Sequence, residues 1–223
     1  MVYLRLDKIG FRYGKNQILD NLSLTVNKGE IFGLMGSNGC GKTTILKMLC
    51  GLLEPMKDGK ILLNEKEIKP DKEKRIIGYC PQENSFFEKL TVKENLVYFA
   101  HLNNFKGNFD RLVRGTLKSI DLSNKINELA CNLSGGMKRR LNIACGILHG
   151  PEILLLDEPT IELDPKARNK IWELIGAIKR LGTTIIIATN TREEAQALCD
   201  NVALIDEDRV VMQGAASEIP RMI

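Results

Sequence analysis

Aromatic residues are scarce in this 223-residue sequence, where Phe, Tyr and Trp together make up 5% of the chain. Surfaces that bind single-stranded nucleic acid use aromatic rings that stack on the bases, so this scarcity argues against such a surface. The net charge of +4 is small, and the basic residues are dispersed rather than gathered in one block. We therefore expect no nucleic-acid partner.

Metal-binding and disulfide patterns are missing as well. The six cysteines include no C-x-x-C pair, and the two histidines do not cluster with them. The sequence thus predicts neither a zinc site nor a disulfide framework, and it favours a reduced, cytosolic setting. No apolar run is long enough to cross a bilayer, and the N-terminus lacks the apolar core of a signal peptide. Any membrane role must therefore depend on a partner chain.

Short apolar strands alternate with helices near both ends of the chain, whereas the middle is mainly helical. Strand patterns lie at 3–6, 10–14, 22–26, 31–35, 61–63, 76–79, 153–156, 184–188, 202–205 and 209–212. Helical spacing lies at 43–50, 92–99, 111–120, 165–181 and 192–198. We expect a single domain over residues 1–223. Its α/β core, formed by 1–83 and 151–223, carries a helical insertion at about 84–150.

A glycine-rich segment, GSNGCGKTT, follows the apolar strand at 31–35 directly. It fits the pattern G-x-x-x-x-G-K-[ST], in which backbone N–H groups surround phosphate oxygens. Lys42 would reach the β and γ phosphates, Thr43 would ligate Mg²⁺, and the next helix would add its N-terminal dipole. An ordinary glycine turn is the alternative. The predicted phosphate-binding residues are Gly36, Ser37, Asn38, Gly39, Cys40, Gly41, Lys42, Thr43 and Thr44.

A second apolar strand, at 153–156, ends in the two acids Asp157 and Glu158. Ligands of open α/β folds bind at the carboxyl edge of the sheet, so both carboxylates are predicted to lie beside the phosphate loop. Asp157 would hold Mg²⁺ through water, and Glu158 would act as general base toward the attacking water. The alternative is that the acids only solvate a strand end.

The segment LSGGM at 133–137 decides the family resemblance. With the two motifs above, the chain resembles the nucleotide-binding domain of ATP-binding cassette (ABC) proteins, whose signature is usually LSGGQ. The resemblance implies a P-loop NTPase α/β fold with a mainly parallel sheet, an N-terminal antiparallel β subdomain and an inserted helical subdomain. It also implies that two domains meet head to tail, with Ser134, Gly135 and Gly136 contacting the partner's ATP. A plain helix N-cap at Ser134 is the local alternative.

The same resemblance assigns three further residues. Tyr13 matches the aromatic that stacks on adenine, Gln82 matches the glutamine that touches Mg²⁺ and water, and Asp164 matches the acid of the loop that faces the partner. Tyr13 could instead be an ordinary strand residue. Phe86 and Phe87 fit equally well a groove for a helix of the membrane subunit and the core of the helical lobe.

Two positions depart from the family pattern. Asn190 stands where the family usually has a histidine, and an amide is shorter than imidazole and cannot carry a proton. We expect it to take the catalytic place of that histidine with weaker support of the transition state, by about 10²–10³-fold. Glu162 stands where the family usually has a small residue. Both substitutions favour a slowed hydrolytic site, and functionally silent drift is the alternative.

Two smaller expectations concern cationic surroundings. Cys40 lies close to a helix N-terminus and to Lys42, which predicts a lowered thiol pKa and a loss of nucleotide binding on alkylation. A merely tolerated small side chain is the alternative. The run Lys138–Arg140 is interpreted as a solvated helix face rather than a binding patch.

The leading hypothesis is a cytosolic ATPase subunit that binds MgATP and dimerises with a second nucleotide-binding domain. It would lie on the cytoplasmic face of the membrane and drive a separate permease subunit, with an exporter favoured by likeness alone. Two alternatives stay open: a soluble ATP-dependent switch acting on ribosomes or nucleic acid, and a regulatory ATP binder with little hydrolysis. Retention of Glu158 argues against complete inactivity.

Overall fold

A computed structural model of the chain describes residues 1–73 and 75–218. The strands are β1 (Val2–Tyr13), β2 (Asn16–Asn27), β3 (Ile31–Met35), β4 (Lys60–Leu63), β5 (Lys66–Glu67), β6 (Ile77–Cys80), β7 (Ile153–Asp157), β8 (Thr184–Thr189), β9 (Asn201–Asp206) and β10 (Arg209–Ala215). The α-helices are α1 (Lys42–Leu49), α2 (Val92–Leu102), α3 (Phe109–Ser119), α4 (Gly135–Ile147), α5 (Pro165–Arg180) and α6 (Arg192–Leu198).

Two sheets form the frame of the molecule. The first has the order β2-β1-β4-β5 and is antiparallel, and the second has the order β10-β9-β3-β8-β7-β6. In the second sheet every neighbouring pair from β9 to β6 is parallel, and β10 adds an antiparallel edge. This architecture confirms the predicted α/β fold with a mainly parallel sheet and an antiparallel N-terminal part.

The register of the parallel strands positions the site. Met35 of β3 pairs with Thr189 of β8, and Asp157 of β7 pairs with Ala188 of β8. The residues that follow these three strands therefore leave the sheet side by side at its carboxyl edge. All the side chains of β3, β7 and β8 are buried, which explains the uninterrupted apolar runs in the sequence.

The N-terminal strand differs from the prediction. Residues 3–6 and 10–14 were expected as two strands, whereas β1 runs unbroken from Val2 to Tyr13. Its pairing with β2 shifts register between Leu6 and Ile9, and Lys8 between them has a left-handed backbone with φ of 52°. This bulge lets Leu6 and Ile9 both face the core despite their odd spacing.

The core divides into two apolar clusters on opposite faces of the larger sheet. One lies between α1 and the antiparallel sheet and contains Phe32, Leu34 and Leu46. The other lies under α2, α4 and α5 and contains Leu154, Leu156 and many residues of the helical segment. The helices between β6 and β7 thus cover one face of the sheet and leave its carboxyl edge accessible.

Candidate functional site

The phosphate loop, residues 36–44, joins β3 to α1. Gly36, Gly39 and Gly41 all have positive φ, and a Cβ at Gly36 would collide with the carbonyl of Ile205. The Lys42 side chain is 5% exposed and folds back over the loop, where its Nζ donates to the carbonyls of Gly36 at 2.8 Å and Ser37 at 3.0 Å. The loop is thus held in shape by its own lysine.

The end of β7 supplies the acids of the site. Thr43 Oγ1 donates to Asp157 Oδ1 at 3.1 Å, and the Tyr79 hydroxyl lies 3.5 Å from Asp157 Oδ2. Burial raises the pKa of Asp157, and the hydrogen bond from Thr43 and the charge of Arg139 oppose that rise. Tyr79 was not predicted from the sequence, because its hydroxyl reaches Asp157 only through the pairing of β6 with β7.

Glu158 follows with an unusual backbone. Its φ is 47°, a left-handed conformation that costs a residue with a side chain about 1–2 kcal/mol. Its N–H donates to the Ala188 carbonyl at 2.9 Å, and its Oε1 lies 3.9 Å from Lys42 Nζ. Burial raises the pKa of the Glu158 carboxyl, Lys42 lowers it, and the charges of Asp157 and Glu194 raise it further. Such a carboxyl suits proton transfer.

The phosphate loop and Glu158 open onto one cleft of about 390 Å³, whose lining does not include Asp157 or Tyr79. Among the predicted site residues, the cleft unites the phosphate loop with Tyr13, Gln82 and Glu158. Tyr13 is half exposed and packs edge-on against Phe11, so it offers a ring face at the rim. The full lining is Tyr13, Ile18, Asn38, Gly39, Gly41, Lys42, Thr43, Thr44, Gln82, Glu158 and Ile161.

The donors present fit Mg²⁺ bound mainly through phosphate and water. Thr43, Asp157 and Gln82 offer oxygen atoms, which are the ligands that Mg²⁺ prefers. Within residues 1–73 and 75–218, no three Asp, Glu, His or Cys side chains gather closely enough to form an all-protein metal cage.

Asn190 leaves β8 beside the phosphate loop. Its side chain is exposed, and its Nδ2 donates to Asn38 Oδ1 at 3.2 Å. Asn190 thus contacts the phosphate loop but does not line the phosphate cleft.

Cys40 corrects one prediction. Burial raises the pKa of its thiol and outweighs Lys42, which lowers it. The thiol faces inward, since a Cβ at Gly36 would lie 2.6 Å from Cys40 Sγ. The expected lowering of the thiol pKa was wrong because proximity in sequence did not reveal that the side chain packs beneath the loop. Cys40 is also absent from the lining of the phosphate cleft.

The signature residues lie on another face of the chain. Ser134 caps α4 by accepting from the Met137 N–H at 3.4 Å, and Asp164 caps α5 by accepting from two N–H groups at 3.0 Å. A second cleft, of about 650 Å³, runs past Gly135 and Glu162 and shares Gln82 with the phosphate cleft. The chain therefore does not bring Ser134, Gly135, Gly136 or Asp164 into its own phosphate cleft.

The run Lys138–Arg140 corrects another prediction. Arg139 and Arg140 are both 6% exposed, whereas Lys138 is less buried and pairs with Glu88 at 3.0 Å; Arg140 also pairs with the Asp121 carboxylate at 3.2 Å. Arg140 donates to the carbonyls of Ile120 and Asp121, and Arg139 points toward the sheet edge. The expectation of a solvated helix face was wrong because α4 is packed on both flanks, which the charge run alone conceals.

Glu194 of α6 is a second buried charge that sequence reasoning missed. It is 2% exposed and accepts from Thr160 Oγ1 at 2.6 Å and from Trp172 Nε1 at 3.3 Å. It thereby ties the helix that follows Asn190 to the loop that precedes Asp164. The charge-rich stretch around Glu194 gave no signal that one of its acids is internal.

The two phenylalanines after Gln82 differ in burial. Phe86 is 6% exposed and belongs to the core cluster under the helices. Phe87 is 46% exposed and packs edge-on against the exposed Tyr98.

Comparison with known proteins decides the family. Residues 19–161 match the family model described as ABC transporter. The chain is 40% identical over 208 residues to the Nod factor export ATP-binding protein I of Burkholderia orbicola (strain AU 1054), covering 92% of this chain and 68% of that protein. The chain belongs to the ABC transporter ATP-binding family. It is thus the ATP-binding subunit of an ABC transporter and an ATPase.

Two further relatives agree with this assignment. The linearmycin resistance ATP-binding protein LnrL of Bacillus subtilis (strain 168) is 34% identical over 219 residues, which cover 97% of this chain and 70% of that protein. The solved structure of cbiO1 from Clostridium perfringens, part of the ABC transporter complex cbiONQ, superposes with a TM-score of 0.87 at 30% identity. That match covers 98% of this ABC subunit and 91% of the cbiO1 chain.

Among the described residues, no helix combines the length and the apolarity needed to cross a bilayer.

Proposed function

We propose that this ABC subunit binds MgATP in the phosphate cleft and hydrolyses it against a second ATP-binding domain arranged head to tail. The energy would drive a separate permease that the subunit contacts from the cytoplasmic side of the membrane. The observation that carries the proposal is the division of the predicted ligand groups between two clefts of one chain. A second chain, turned end to end, would supply its signature face to this phosphate cleft.

The predicted site residues have the following chemical tasks in this proposal. Lys42 would exchange its two carbonyl partners for phosphate oxygens, and the loop N–H groups would bind the remaining charge. Thr43, Asp157 and Gln82 would hold Mg²⁺, which supplies neutralisation of phosphate charge. Glu158 would accept a proton from the attacking water, and Tyr13 would stack on the adenine.

Two substitutions support a weakened site. Asn190 reaches Asn38 of the phosphate loop but cannot carry a proton, and the exposed Glu162 brings negative charge to the face predicted to meet the partner's nucleotide. We infer an asymmetric pair, in which this chain binds ATP and presents its signature while the partner supplies the faster site. The export and resistance names of the relatives favour export as the direction of transport.

The test is steady-state ATP turnover of the purified chain beside Asn190→His and Glu158→Gln. We expect the parent to be slow, Asn190→His to raise turnover at least tenfold, because imidazole is longer than the amide and can carry a proton, and Glu158→Gln to abolish turnover. A parent that turns over at about 1 s⁻¹ or faster would remove the asymmetric part of the proposal. Undiminished turnover in Glu158→Gln would remove Glu158 as the base.

A further inference from the structure

Arg139 uses all the hydrogen-bonding capacity of its side chain. It lies on α4, five residues after Ser134, and its guanidinium is buried. Its Nε donates once, and each terminal nitrogen donates twice, so the side chain's five N–H groups have acceptors. Those acceptors, at 2.6–2.9 Å, are the carbonyl oxygens of Pro81, Gln82, Asp157, Glu158 and Pro159.

These acceptors come from two chain segments that leave the sheet next to each other. One follows β6 and carries Gln82, and the other follows β7 and carries Glu158. Carbonyls at such exits have no strand partner and are costly to bury alone. Arg139 binds both sets, and its own helix begins at the signature. One side chain thereby joins three motifs that stand far apart in the sequence.

The contact with Glu158 bears directly on the geometry of the acid. Glu158 has a positive φ, which directs its carbonyl toward Arg139 Nη2 at 2.9 Å. Such a conformation persists only where surrounding contacts hold it. Lysine could not replace this function, because an ammonium has three donors around one point and no planar fork.

We propose that Arg139 is a positioning residue for ATP hydrolysis: it fixes the backbone of Glu158 and of Gln82 to the helix that begins at the signature. The proposal rests on the role proposed above for Glu158. It goes beyond that role because it assigns the placement of the base to a residue that does not line the phosphate cleft.

Arg140 offers a matched control. It follows Arg139 directly on α4 and is equally buried, but it donates to the carbonyls of Ile120 and Asp121 at the far end of α3. Replacing either arginine by lysine therefore removes a buried fork from the same helix. Only the change at Arg139 disturbs the segments that leave the carboxyl edge of the sheet.

The first measurement is hydrogen–deuterium exchange on the full chain without nucleotide. The amide of Glu158 donates to the Ala188 carbonyl of β8, and the amides of Ile161 and Leu163 donate to the carbonyls of Glu158 and Thr160 in the segment that Arg139 holds. We expect Arg139→Lys to speed their exchange about tenfold and Arg140→Lys to speed exchange near Leu122 instead. Unchanged exchange at 158–163 in Arg139→Lys, or the same uniform increase in both variants, would overturn the proposal.

The second measurement separates kcat from KM in the same variants. We expect Arg139→Lys to lower kcat by about 10–100-fold, as misplacement of a catalytic group does, with KM for ATP nearly unchanged. If Glu158→Gln is inactive but Arg139→Lys has the same kcat as the parent, the positioning role of Arg139 is refuted and the role of Glu158 as the base stands. Activity in Glu158→Gln would instead refute the proposed base, and the exchange data would then decide on Arg139.

Discussion

The phosphate cleft and the signature face, which carries Ser134, Gly135, Gly136 and Asp164, differ in how their polar side chains are buried and bonded. At the phosphate cleft, Lys42 is buried and donates to the Gly36 carbonyl. Asp157, which lies next to the cleft lining, is also buried and accepts from Thr43. On the signature face, Ser134 and Asp164 are exposed and bond only to the first turns of their own helices. The first region is preorganised by this chain's core, whereas the second is stabilised only by local helix caps, which leaves its side chains accessible from solvent.

The largest expected effect concerns the buried lysine. Lys42→Met keeps the length of the side chain but removes the charge, and hydrogen bonds to charged groups are worth about 1.5–3 kcal/mol each. We expect ATP affinity of the isolated chain to fall about 100-fold, measured by calorimetric titration. Lys118→Met, on the exposed face of α3, should leave affinity unchanged. Retained affinity in Lys42→Met would show that the loop backbone alone is sufficient.

An intermediate effect is expected on the signature face. Ser134→Ala and Asn108→Ala each remove a side-chain N-cap, from α4 and α3 respectively, at a cost of about 1 kcal/mol in folding. Both should leave ATP affinity of the isolated chain intact. We expect turnover of the assembled pair to fall about tenfold in Ser134→Ala only. Equal turnover in the two variants would reduce Ser134 to a helix cap.

The smallest effect tests the buried side of the comparison through pH. Because the folded pKa of Glu158 is raised, its charge costs stability at pH 7, and that cost disappears as pH falls to the unfolded value of about 4.3. Glu158→Gln without nucleotide should therefore raise Tm at pH 7, by about 2–4 °C for each kcal/mol, and lose this advantage near pH 4. Thermal unfolding of Glu173→Gln, an exposed acid on α5, should show no such gain.

The local parts of the site were predictable from the sequence. The strand at 31–35, the loop and α1 follow from an apolar run, glycines at fixed spacing and a helical pattern, all within twenty residues. The acids at 157 and 158 were placed beside the loop because parallel strands end at one edge. Helix α6 was predicted with its observed ends, Arg192–Leu198.

Other features depend on packing that no local pattern encodes. The sequence predicted a solvated face at Arg139 and Arg140. Both side chains are buried because other chain segments pack against this part of α4, and the charge run contains no sign of those segments. The sequence predicted two strands where β1 is continuous, because the bulge at Lys8 interrupts the alternation of apolar and polar residues. The direction of the Cys40 thiol follows from the left-handed glycines around it, which fix the loop's turn in space. Glu194 needed partners from two distant segments.

The two signature glycines stand under unequal constraints. A Cβ at Gly136 would lie 2.7 Å from the Cβ of Ala167 on α5, whereas at Gly135 the nearest atom, on Leu163, would be 3.8 Å away. Any side chain at Gly136 must push α4 and α5 apart. Substitution of Gly136 would therefore lower the yield of folded protein, whatever its effect on ATP hydrolysis. A mutational survey scored by transport alone would count both glycines as equally essential. Abundance measured in parallel would separate them, because only Gly136 is required for the close packing of α4 against α5.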